Sequence, residues 1–118
     1  MHELSIAQSL LEVALGSVKD PEIKQIRLIK LRIGRLTGVE PEALRFAWTA
    51  VSAGTIAAGA MLDVDWVPLT GRCHNCRQDL ILKQYHVFCP VCRSPAFEMT
   101  SGQELTMDYL EVDTADEN

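Results

Sequence analysis

Four cysteines most constrain what this chain can fold into. They lie in one window, as Cys73-His74-Asn75-Cys76, twelve intervening residues, and Cys89-Pro90-Val91-Cys92. In a CxxC turn both sulfurs can face one ion while nearby backbone amides point at them, so two such turns at hairpin spacing form a tetrahedral thiolate site. Four soft ligands with no open position describe a structural zinc site; iron in a rubredoxin-like site is the competing occupant. Two disulfides or four buried thiols are the plainer reading, opposed by the paired spacing and by the expected compartment. That compartment is the cytosol. The start Met1-His2-Glu3-Leu4 has no basic segment followed by an apolar run, and no apolar stretch reaches the ~18 residues of a membrane span.

The cysteine window cannot be a whole fold. Its larger apolar residues are only Leu80, Ile81, Leu82, Tyr85, Val87 and Phe88, so metal binding must supply much of its folding energy. The remainder of the 118 residues must hold the core of one α/β domain. An amphipathic helix carries Leu4, Ala7, Leu11, Ala14, Leu15 and Val18 near the helical period, and Asp20-Pro21 breaks it. A strand follows over Ile26 to Ile33, with Ile29, Leu31 and Ile33 alternating against Lys30 and Arg32; Gly34 and Gly38 bracket a loop. Pro41 suits a first helical position between Glu40 and Glu42, and Leu44, Ala47, Trp48 and Val51 make the stripe of a second helix stopped near Gly54. Met61 to Val67 alternates as a second strand, and Glu104 to Val112 makes a third. By spacing, Trp48, Trp66 and Phe46 read as core.

The third strand follows the cysteines and needs a partner, which the first sheet supplies most simply. The expected fold is therefore α/β (α+β): two helices on a small mixed three-stranded sheet, with an inserted zinc-ribbon-like domain. Residues 1–69 and 96–118 form the first domain and 70–95 the insertion. The tail from Thr114 reads as polar, acidic and frayed.

Net charge is −5, which gives no global attraction to nucleic acid or anionic membrane. Phosphate loops, dinucleotide fingerprints and a serine nucleophile elbow are all missing, so the chain does not read as an enzyme. Arg72, Arg77, Lys83 and Arg93 give the insertion a basic bias, which keeps one alternative open: a zinc-ribbon module for protein or nucleic-acid interaction. His74 and His86 flank the cysteines and could replace or hydrogen-bond a thiolate; we read them as exposed histidines.

A second metal site is suggested at the amino terminus. The amine of Met1, with an ordinary pKa near ~8, the His2 amide nitrogen and the His2 imidazole close adjacent chelate rings. Glu3 adds an amide nitrogen or a carboxylate oxygen. Such nitrogen and oxygen donors favour Ni(II) or Cu(II).

The start Met1-His2-Glu3-Leu4-Ser5, the segment Leu31-Arg32-Ile33-Gly34 followed by Val39-Glu40, the two CxxC pairs, and Gly102-Gln103-Glu104-Leu105 before Leu110-Glu111-Val112 resemble the HypA/HybF family of hydrogenase-maturation nickel chaperones over nearly the whole chain. The resemblance implies Ni(II) cargo held by Met1, His2 and Glu3, with Glu40 completing or supporting that site, and Zn(II) held by Cys73, Cys76, Cys89 and Cys92. It implies a HypB-type GTPase and the large subunit of a [NiFe] hydrogenase as partners. Charge and hydropathy leave no nucleic-acid or membrane partner expected, and the chain is expected to be a cytoplasmic monomer or weak homodimer. Arg77 and Arg93 depart from the pattern, since glycine is common after the second cysteine of such a knuckle.

Overall fold

The computed structural model describes residues 2–114. Helix α1 (His2–Ser17) and helix α2 (Pro41–Ser52) accompany a sheet of three strands: β1 (Ile23–Gly34), β2 (Met61–Val67) and β6 (Leu105–Thr114), in the order β2-β1-β6. The late strand thus does join the first sheet. A second sheet, β4-β3-β5, is built from β3 (Thr70–Cys73), β4 (Asp79–Ile81) and β5 (Phe97–Ser101). Among the described residues, no helix is long and apolar enough to cross a membrane.

The chain divides into two compact units. The first comprises Met1–Leu31, Val39–Val64 and Met107–Asn118. In α1 the buried residues are Ala7, Leu10 and Ala14. This is a narrower stripe than expected: two fully buried alanines let α2 approach closely, Leu10 fills the space beside them, and Leu4 stays exposed. On β1, Ile29, Leu31 and Ile33 are buried as their alternation requires. Arg27 pairs with Asp113 and Glu111 of β6, and Lys30 with Asp63 of β2 at 3.3 Å.

Helix α2 begins as its sequence prescribes. Pro41 stands at its start, and the Glu40 carboxylate accepts from the amides of Glu42 (3.0 Å) and Ala43 (3.3 Å). Leu44, Ala47 and Trp48 are buried on one face. Phe46, expected in the core, is 80% exposed. It lies two residues from both Leu44 and Trp48, and a separation of two on a helix turns a side chain to the far face. The helix ends at Ser52, and Gly54 follows in the left-handed region at φ +79°.

The second unit comprises Arg32–Gly38 and Asp65–Thr106. It is wider than the 70–95 insertion expected from sequence, for two reasons. Strand β5 lies beyond residue 95 yet pairs antiparallel with β3, Cys73 facing Phe97 and Gly71 facing Met99. The Gly34–Gly38 segment is a short 3-10 turn (Arg35–Thr37) bonded to the end of the insertion, with Leu36 N–H donating to Gly102 O at 2.8 Å and Gly34 N–H to Glu104 O at 2.7 Å. Two glycines permit close approach within this unit: a Cβ on Gly34 would stand 2.0 Å from Gly102 O, and one on Gly71 would stand 2.3 Å from the Phe97 ring. Strand β6 runs to Thr114, and residues 115–118 of the expected frayed tail lie outside the described residues.

Candidate metal centres

The four cysteines converge. Strand β3 delivers Cys73 at its end, a turn places Cys76, and a second turn carries Cys89 and Cys92. All four sulfurs lie within 4.8 Å of one another. Cys73 Sγ is 3.6 Å from Cys92 Sγ, and Cys76 Sγ is 3.8 Å from Cys89 Sγ. A tetrahedral ion with metal–sulfur bonds of ~2.3 Å requires sulfur–sulfur edges of about 3.8 Å. The cluster fits a thiolate-bound metal, and its separations are far from a disulfide bond, so the cysteines are free.

The turns aim backbone dipoles at the sulfurs. Cys76 N–H points to Cys73 Sγ at 3.4 Å, while Val91 and Cys92 amides point to Cys89 Sγ at 3.3 and 3.4 Å. Each knuckle is closed by a residue in the left-handed region, Arg77 at φ 61° and Arg93 at φ 65°. Here lies the physical meaning of the two departures from glycine: the turn demands a backbone conformation that costs an L-residue ~1–2 kcal/mol. The Asn75 amide and the Ser94 backbone hold the Cys92 thiol down to about 6. Burial pushes Cys76 up to about 12. Cys89 is also lowered, because the amides of Cys92 and Val91 outweigh its burial. The donor from Asn75 to Cys92 Sγ, at 3.5 Å, escaped the sequence reading, although an amide side chain inside a CxxC turn is the signal that would reveal it.

Neither flanking histidine belongs to the sulfur cluster. His74 Nε2 lies 3.0 Å from Glu98 Oε1 on β5, both side chains exposed. His86 lines a shallow cavity with Phe88, Cys89, Pro90 and Arg93.

The amino-terminal residues fall in the other unit. Met1 lies outside the described residues. His2 opens α1 with an exposed imidazole, its Nε2 3.6 Å from Glu3 Oε2. Glu3 Oε2 accepts from the Glu40 amide at 3.1 Å, and that hydrogen bond holds its carboxyl below the usual carboxylate range. Glu40 therefore contributes two groups in two directions: its amide supports Glu3, and its carboxylate caps α2.

Comparison with known proteins follows the same lines. Residues 1–112 match the family model described as hydrogenase/urease nickel incorporation, metallochaperone, HypA. The chain belongs to the HypA family. This is a family of maturation factors, not of enzymes. The hydrogenase maturation factor HypA of Geobacter sulfurreducens is 40% identical over 113 residues, covering 96% of this chain and 100% of that protein. That of Desulfitobacterium hafniense (strain DSM 10664 / DCB-2) is 35% identical, covering 96% and 99%. In fold the chain is similar to the solution structure of the nickel metallochaperone HypA from Helicobacter pylori, with a TM-score of 0.62 at 19% identity, covering 93% of this chain and 96% of that one. A second HypA solution structure gives a TM-score of 0.67 at 21% identity, covering 95% and 96%.

Proposed function

We propose that this chain carries one Ni(II) at its amino terminus, through the Met1 amine and the His2 and Glu3 nitrogens, and delivers it to the large subunit of a [NiFe] hydrogenase. A HypB-type GTPase assists, in the cytoplasm. A structural Zn(II) holds Cys73, Cys76, Cys89 and Cys92, and supplies folding energy without chemistry.

The observation that carries this reading is that α1 begins at His2. The first amides of a helix have no acceptor within it. The His2 and Glu3 nitrogens can therefore serve a metal without breaking a helical hydrogen bond. Glu3, kept ionised by the Glu40 amide, adds negative charge beside a cation. Glu40 supports the site through its amide, since its carboxylate is committed to α2. Nitrogen donors on one side and four thiolates on the other separate the two metals by ligand type. Exposure of His2 suits cargo that must leave again.

Calorimetric titration of the zinc-loaded chain with nickel tests the reading. His2→Ala lowers nickel affinity at least about tenfold and leaves zinc content unchanged. Residues added ahead of Met1 weaken binding by replacing the amine with a peptide nitrogen. Equal nickel affinity in both cases contradicts the proposed ligands.

A further inference from the structure

We propose that an exposed face of the cysteine-bearing unit, centred on Ile81, Lys83 and Phe88, docks a protein segment that presents a large apolar side chain flanked by carboxylates. Three independent features of the unit meet there.

The first is apolar exposure. Ile81 is 81% exposed, and Tyr85, Val87, Phe88 and Val91 are each more than half exposed. A cluster of this kind within so short a stretch is unusual on a free surface and marks a contact site. The second is shape. Two grooves of about 410 and 570 Å³ share the wall Ile81-Leu82-Lys83, and the larger continues past His86 and Pro90. These volumes suit inserted side chains. Strand β4 (Asp79–Ile81) lies at the edge of its sheet, where an extended peptide can add alongside it.

The third is charge, which names the occupant. Residues 80–97 contain Lys83 and Arg93 and no Asp or Glu. Arg35 lines the smaller groove beside Lys83. The nearby acids are engaged: Asp79 by Arg72 at 3.0 Å and Glu98 by His74 at 3.0 Å. Neither Lys83 nor Arg93 has an ion pair among the described residues. The unit as a whole holds six Lys and Arg against four Asp and Glu, whereas the other unit holds five against twelve. An apolar floor with a basic rim complements an acidic, apolar-centred segment. Nucleic acid is disfavoured, because its affinity grows with many clustered phosphate contacts, and residues 80–97 offer only Lys83 and Arg93 as cations.

The test is selection of random short peptides on the zinc-loaded full chain, with counter-selection on a Lys83→Glu, Ile81→Ser double variant. Both positions are exposed, and zinc content and circular dichroism confirm that the variants remain folded. The expected result is enrichment of sequences combining Asp or Glu with Leu, Ile or Phe. A labelled selected peptide binds about tenfold more weakly to Lys83→Glu and several-fold more weakly to Ile81→Ser. Its lysine-swapped counterpart recovers binding to Lys83→Glu. No enrichment over the double variant, or equal peptide affinity for wild type and Lys83→Glu, overturns the proposal. So does preferential, Lys83-dependent binding of labelled oligouridylate or of phosphatidylserine vesicles.

Discussion

Arg77 and Arg93 show how much a single backbone angle can explain. Each follows the second cysteine of its knuckle, and each sits at positive φ. The sequence marks both as departures from glycine, and the structure supplies the reason glycine suits them. Replacing either by glycine removes a left-handed penalty of ~1–2 kcal/mol, less the greater unfolded-state freedom of glycine. Arg77→Gly and Arg93→Gly should each stabilise the zinc-loaded chain by about 0.5–1 kcal/mol, read as a higher Tm and greater resistance to a chelator. Lower chelator resistance in either variant would mean that the guanidinium's attraction to the thiolates exceeds the backbone strain. At the same scale Glu40 was legible only in part. Its acidic side chain at the start of α2 suits the helix dipole, but the amide that holds Glu3 belongs to a contact across thirty-seven positions of sequence, which no local pattern encodes.

Elements divide by how they are stabilised. Helix α2 and strand β1 were legible because proline, an acidic cap and a regular apolar period specify them locally. Strands β3, β4 and β5 span only four, three and five residues and have no apolar period to read. Their pairing comes from tertiary closure: Gly71 admits the Phe97 ring, and the cysteine turns bring four sulfurs together in a cluster that fits a metal. Phe46 reads as core by spacing, but its angular position on α2, two residues from both Leu44 and Trp48, leaves it exposed. This division has a measurable consequence. The buried apolar residues of the cysteine-bearing unit are few, chiefly Ile33, Leu69, Cys73 and Cys89, so an ion bound by the cysteines would carry much of its stability. Stripping zinc with a chelator should abolish amide-exchange protection in β3, β4 and β5 while α1, α2 and Ile26–Leu31 of β1 stay protected. Uniform loss across the chain, or none, would contradict a metal-folded unit.

Over the whole molecule, the four-cysteine cluster lies in one unit, and His2 with Glu3, the proposed nickel ligands, in the other. Proton balance distinguishes them. Near neutrality Cys92, held down to about 6, is already mostly thiolate, while Cys76, pushed up to about 12, carries its proton. Zinc uptake at pH 7 should therefore release fewer than four protons, measured by calorimetry in buffers of differing ionisation heat. Affinity should rise with pH, and its slope should steepen below about 6, where Cys92 also must lose a proton. A slope independent of pH across that range would contradict the thiolate assignment. The separation of cargo from structural metal is tested most directly by nickel-edge X-ray absorption on the zinc-loaded chain with a free Met1 amine. A nickel shell of nitrogen and oxygen that includes one imidazole and no thiolate sulfur is the predicted result; sulfur scatterers at the nickel would place the cargo among the cysteines and contradict it.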